Sequence, residues 1–333
     1  MRGTGAMKRP LLKSLAHLPN AHPARVVHRR GFLATATAAC FATALPSPCR
    51  AVSNQAFRLG AFEITLLSDG YLTVPTRFLA TTTEPSQLRS ALAAAGQRGD
   101  WVPAPSNVTL VRAGSEVILI DAGAGPHFMP TAGKLLDSLE AAGIDRKSIT
   151  KVVYTHAHPD HIWGTLDDFD DEPNFPNASY VIAAAEWNFW MSEDAASKLP
   201  DDRQNFAPGA KRNLFRIKDR IRTVQPGEDI VPGLRALDTS GHTAGHIAIE
   251  IASGPDTLLV VGDALTHPVI SFERPDWRPA ADHHDADRAV AVRKRLLDRL
   301  AADHTLLVGY HLPSPGIGRV ERKDTAYTFV KGR

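Results

Sequence analysis

Short apolar runs, each closed by a polar residue or a glycine turn, punctuate the chain from Phe57 onward. "FEITLLSDG" (residues 62–70) alternates into a turn and predicts a strand. "EVILIDAGAG" (116–125) is an apolar strand that stops at Asp121 and a Gly-rich loop. "TAGKLLDSLEAAGI" has helical spacing at Leu135, Leu139 and Ala142 and ends at Gly143. A strand over 152–155 leads straight into "HAHPDH". "YVIAAAEWNFW" passes from strand to helix, and the polar, Pro-interrupted stretch 192–209 reads as an extended surface connection. "LRALDTSGHTAGHIAIEI" is strand, polar loop, strand; "TLLVVGDAL" and "HTLLVGYHL" are two more buried strands. Between them "ADRAVAVRKRLLDRLAAD" sets Ala289, Val292, Leu296 and Leu300 on one helical face, with the arginines elsewhere. Short strands alternating with a few helices predict a layered α/β architecture in a single domain, residues 52–333.

What closes these strands changes the picture. Asp121, His156, His242, Asp263 and His311 each follow an apolar run, and loops at the ends of sheet strands are where ligands gather. In His156-x-His158 the period of two sends both imidazoles to one side. Asp160 and His161 then turn back from the other side, so one short loop can serve two adjacent metals. A lone histidine behind a strand is usually structural. Many elements each delivering His or Asp is a different case, because unpaired imidazoles and carboxylates are costly to bury. Carboxylates mixed with imidazoles and no sulfur suit zinc, with manganese, iron or cobalt as alternatives.

Composition adds two constraints. The chain has 38 basic and 36 acidic residues, yet Arg2, Lys8, Arg9, Lys13, Arg25, Arg29, Arg30 and Arg50 precede any acid. The remainder carries 30 basic against 36 acidic residues, so the basicity belongs to the N-terminal segment and nothing marks a nucleic-acid surface. That segment, "HRRGFLATATAACFATALPSPCRA", has twin arginines before a modest Ala/Thr run and the small residue Ala51. It resembles a twin-arginine export signal spanning residues 1–51, and predicts use of export machinery and a periplasmic or secreted destination. A disordered basic tail is the alternative. Both cysteines, Cys40 and Cys49, lie inside it, so a processed chain has no thiol for a disulfide, a zinc ligand or a nucleophile. No apolar run is long enough to span a membrane.

"THAHPDH" is the H-x-H-x-D-H signature of the metallo-β-lactamase superfamily. The order of Asp121 in "LIDAG", His242 in "SGHTAGH", Asp263 in "VVGDAL" and His311 in "GYHLPSPGIG" is similar to that family from Phe57 onward. The resemblance implies a four-layer αββα sandwich and a dinuclear centre of two divalent metal ions per chain. It implies that His156, His158 and His242 bind one metal, that Asp160, His161 and His311 bind the second, and that Asp263 bridges them. Asp121 would hold a ligand imidazole in orientation. "GAFEITLLSDG", "FPNASYVIAAAEWNFW", "YHLPSPGIGRV" and "AYTFV" look most like the methyl parathion hydrolase and N-acyl homoserine lactonase group. The implied chemistry is hydrolysis of a lactone, ester or organophosphate triester by a metal-bridging hydroxide, with Asp160 carrying a proton to the leaving group.

Other histidines and aromatics receive plainer readings. His246 is expected to brace its loop, and His283 and His284 to be solvated. His267 is a candidate for the substrate pocket. Trp187, Phe189 and Trp190 fit a helical core face, with Trp190 the candidate pocket aromatic. Rival functions are an exported β-lactam hydrolase, a glyoxalase II-like thioester hydrolase, and a metal-binding scaffold without activity. β-Lactam enzymes of this family typically lack the aspartate at the place of Asp263. The partners expected are a small-molecule substrate and, compatible with this reading, a second copy in a homodimer.

Overall fold

The apolar runs become two seven-stranded sheets. A computed structural model describes residues 54–332; the segment expected to act as an export signal, with Cys40, Cys49 and the cleavage expected near Ala51, lies outside the described residues. The first sheet follows chain order: β1 (Gln55–Leu59), β2 (Phe62–Pro75), β3 (Trp101–Ala113), β4 (Glu116–Ile120), β5 (Lys151–Val153), β6 (Ser179–Ala183) and β7 (Ile221–Val224). The second comprises β8 (Asp229–Val231), β9 (Leu234–Asp238), β10 (Ile247–Ser253), β11 (Asp256–Val260), β12 (Leu306–Val308), β13 (Ile317–Lys323) and β14 (Ala326–Lys331), neighbours also being consecutive in sequence. Among the described residues six α-helices accompany them: α1 (Pro85–Ala94), α2 (Leu135–Ala141), α3 (Pro159–Ile162), α4 (Ala184–Met191), α5 (Phe206–Ile217) and α6 (Ala286–Ala302).

The strands read as near-continuous apolar runs because both faces are covered. Along β4, Ile118 and Ile120 point to the other sheet, while Val117 and Leu119 point to the helices. β6 repeats this with Val181 and Ala183 inside and Tyr180 and Ile182 outside. The middle of the sandwich is closed from the second sheet by Ile247, Ile249, Leu258, Val260 and Val308. Leu139 of α2, Trp190 of α4 and Leu214 of α5 cover the first sheet, and Leu296, Leu297 and Leu300 of α6 cover the second. The result is the expected αββα sandwich in one domain. Among the described residues, no helix is long and apolar enough to cross a membrane.

Two expectations need correction. The stretch 192–209 is not an extended connection throughout: it holds short helical turns and runs into α5. Pro208 does not break α5 because it lies in the first turn, where its missing N–H has no intrahelical partner in any case. Gly209 is needed there, since a Cβ would sit 2.3 Å from the Trp163 ring. Second, the arginines of α6 are not all outside. Arg293 is 2% exposed and binds Asp282 together with the carbonyls of Pro275 and Trp277.

Candidate metal centre

Parallel pairing brings the candidate residues to one edge. β4 and β5 pair in register Ile120↔Val153, and β11 and β12 in register Val260↔Val308, so each pair ends level. Asp121 leaves the end of β4, and residues 156–161 leave β5. His242 comes from the β9–β10 turn, Asp263 follows β11, and His311 follows β12. Pro159 opens α3 immediately after the extended His158, which turns Asp160 and His161 back toward the imidazoles.

All seven predicted ligand positions meet in two buried groups. His156, His158, His242 and Asp263 form one, and Asp160, His161 and His311 the other, each with its ligand-type atoms within 4.8 Å of one another. In the first, His158 Nδ1 lies 3.0 Å from both His156 Nε2 and His242 Nε2. In the second, Asp160 Oδ2 lies 3.1 Å from His311 Nε2 and 3.4 Å from His161 Nε2. Asp263 reaches both groups, with Oδ1 3.3 Å from His161 Nε2 and Oδ2 3.4 Å from both His242 Nε2 and His311 Nε2.

These spacings fit a cation. In a tetrahedral zinc site with bonds of about 2.0–2.1 Å, ligand atoms lie about 3.3 Å apart. Asp160 Oδ2, Asp263 Oδ1 and His161 Nε2 are buried without a hydrogen-bond partner, so they face one another as co-ligands would. The far nitrogens show the complementary pattern. His161 Nδ1 donates to Asp121 at 2.8 Å, His242 Nδ1 to Asp282 at 3.0 Å, and His311 Nδ1 to the Pro105 carbonyl at 2.8 Å. With that nitrogen carrying the proton, each Nε2 turns a lone pair to the centre.

The electrostatics ask for positive charge here. Burial favours the neutral ring, but Asp160, Asp263 and Asp121 overcome it and hold His161 well above the ordinary imidazole range. His311 behaves alike: against burial, Asp263 and Asp160 raise it to about 10. In the first group burial and neighbouring imidazoles keep His156 and His158 neutral far into acid. A divalent cation meets the same demand without protons.

Supports for the centre come from Asp121 and His246, named in the sequence reading, and from Glu186, which it passed over. Asp121 takes the left-handed conformation, φ 66°, which aims its carboxylate at Thr155 N (2.7 Å), Thr155 Oγ1 (2.8 Å) and His161. Glu186 of α4 is fully buried and joins two ligand loops. Its Oε1 accepts from Ala157 N (2.9 Å) and Trp190 Nε1 (2.6 Å), and its Oε2 from Thr243 Oγ1 (2.7 Å) and Gly245 N (2.8 Å). A single acid in the apolar helix "AAAEWNFW" was the available sign of that role. His246 braces its loop: Nε2 accepts from Asp263 N at 3.0 Å and Nδ1 meets Thr239 Oγ1 at 2.7 Å.

A cavity of about 260 Å³ opens over the centre, with His158, Asp160, Asp263 and His311 in its floor. Leu72, Val74, Phe78, Val102, Phe128 and Phe206 make its walls largely apolar. His267 lines it too, but its nitrogens are engaged. Nε2 donates to Gln97 Oε1 at 2.8 Å, and Nδ1 accepts from Val269 N at 3.2 Å at the head of a π-helical turn, Pro268–Glu273. Trp190 is not a pocket residue: it has no exposed surface and packs edge-on behind His158. Nor is His283 solvated. Its Nε2 lies 3.1 Å from His158 Nε2, and burial, with His242 and Arg203 nearby, lowers it to about 3. His284 is exposed and packs against Phe189.

Residues 101–311 match the family model of the metallo-beta-lactamase superfamily. The chain belongs to that superfamily, and fold, site and family together make it a metal-dependent hydrolase. The structure is similar to hydrolase AbOPH of the same superfamily, at 28% identity and TM-score 0.79, over 85% of this chain and 98% of that one. It is equally similar to AidC, a dizinc quorum-quenching lactonase solved with a product, at 28% identity and TM-score 0.80, over 84% and 98%. Among sequences, metallo-beta-lactamase domain-containing protein 1 of Xenopus laevis is 26% identical over 206 residues, 60% of this chain and 69% of that protein.

Proposed function

We propose that the two groups hold two divalent cations, zinc before manganese, iron or cobalt, and that the protein hydrolyses lactones and related esters, organophosphate triesters included. Asp263 carries this reading, because its two oxygens face both groups at once, which a centre for one metal does not require. A bound pair of this kind supplies a water activated near neutral pH and a Lewis acid for the substrate oxygen.

The chain's own residues supply the rest. His156, His158 and His242 fix one end of the centre, and Asp160, His161 and His311 the other. Against burial, His161 and His311 keep the Asp160 carboxyl far below the usual range, so it is ionised. Asp160 stands in the cavity floor, where it can take the proton of the attacking water and pass it to the leaving oxygen. The apolar walls exclude bulk water and suit an acyl or aryl group beside a compact reactive head. The likeness to AidC supports lactones as the first class to try.

The test pairs metal analysis with a panel of lactones, nitrophenyl phosphotriesters, β-lactams and thioesters. About two metals per chain are expected, with turnover highest on lactones or phosphotriesters. Asp263→Asn should weaken at least one metal and lower turnover about a hundredfold. One metal per chain in zinc-saturated protein, or full activity in Asp263→Asn, refutes the dinuclear mechanism; turnover confined to β-lactams or thioesters refutes the substrate class.

A further inference from the structure

The three imidazoles of the first group are held from behind by different chemistry. His156 Nδ1 sits 3.1 Å from the Thr155 hydroxyl, and His242 Nδ1 donates to the Asp282 carboxylate. His158 is the inverted case. Its Nδ1 faces His156 and His242, so Nε2 is the outward nitrogen and must bear the proton when Nδ1 offers its lone pair. His158 is 6% exposed, so that proton needs a partner from the protein. The atom in reach is His283 Nε2, at 3.1 Å with the two rings tilted by 43°.

We propose that His283 is a positioning residue for the first metal group: it accepts the Nε2–H of His158 and thereby fixes the ring that presents Nδ1. The inference rests on the metal reading above. For His283 to accept through Nε2, its own proton resides on Nδ1. The adjacent Asp282 performs the matching task for His242, so one dipeptide orients two of the three imidazoles. This dipeptide is itself anchored. Arg293 binds Asp282, Asp282 N donates to the Pro279 carbonyl at 3.1 Å, and Asp285 N to the Gly241 carbonyl at 2.9 Å. The second group draws on none of it, since His161 and His311 are held by Asp121 and Pro105.

The asymmetry gives the experiment its readout. Metal-stripped protein is titrated with zinc in competition with a chromophoric chelator, and the thermal midpoint of the stripped protein is recorded alongside. Losing the outer partner of a ligating histidine typically costs about 10- to 100-fold in metal affinity. His283→Ala should therefore weaken one of the two zinc steps by that factor, leaving the other step and the stripped protein's midpoint unchanged. His283→Gln, whose carbonyl can accept the same proton, should recover affinity to within about threefold of the parent. Unchanged affinity in His283→Ala overturns the proposal, as does a His283→Gln protein no better than His283→Ala, which would assign the ring a packing role. Equal weakening of both zinc steps overturns it too. A parent chain that binds no zinc overturns the metal reading along with it.

Discussion

Glu186→Gln separates the scaffold of the centre from its ligands. Both carboxylate oxygens accept two hydrogen bonds each, and no polar atom of Glu186 faces a ligand nitrogen. Glutamine keeps the volume but replaces one acceptor by an NH₂ donor. The least costly orientation turns that NH₂ toward Thr243, whose hydroxyl can accept instead of donate. Gly245 N is then left buried against a donor. Here the loop packs directly on α4, so closely that a Cβ on Gly245 would lie 2.2 Å from Glu186 N. An orphaned buried N–H costs about 1–3 kcal/mol, and exchanging a charged acceptor for a neutral one weakens the remaining bonds by about 1 kcal/mol in all. The expected destabilisation is about 2–4 kcal/mol, a large share of the roughly 5–15 kcal/mol that holds a domain folded. Urea unfolding followed by circular dichroism, on zinc-loaded and chelated protein, measures it. Because Thr243 and Gly245 flank the His242 loop, the variant should also lose zinc to a chelator more readily than the parent. A change below about 0.5 kcal/mol with zinc retention intact would show that the four bonds do not bind the two ligand loops together.

Two further expectations follow from other parts of the chain. Burial lowers His267 to about 4, below its ordinary 6.5, so as pH falls the unfolded chain takes up this proton first. Stability present above pH 6.5 should therefore be lost as pH falls toward 4, by about 3 kcal/mol from this group. His267→Asn, which can still cap Val269 N, should flatten that part of the urea-midpoint profile; an unaltered slope refutes the assignment. For the N-terminal segment, replacing Arg29 and Arg30 with Lys should leave unprocessed precursor in the cytoplasm on fractionation, and normal processing would refute the twin-arginine reading.

The sequence alone singled out the seven candidate metal-binding residues and the layered architecture. Imidazoles and carboxylates behind buried strands are too costly to leave unpaired, so residue types and spacing pointed to a metal, and the family resemblance implied the parts of His156, His158, Asp160, His161, His242, Asp263 and His311. Short apolar strands alternating with a few helices likewise foretold the layered α/β arrangement. Only the tertiary structure decided what stands behind those ligands. Glu186 lies in an apolar helix and its four donors come from three separate segments, which no local pattern reports. "DHHD" reads as solvated charge, yet Arg293 from the inner face of α6 draws Asp282 in, and His283 arrives against His158 with it. Trp190 has the composition of a pocket wall, but helical phase and the bond to Glu186 turn it into the core. Spacing along a chain fixes which groups must be satisfied; which partner satisfies them depends on contacts between segments far apart in sequence, and those exist only once the sheets have packed.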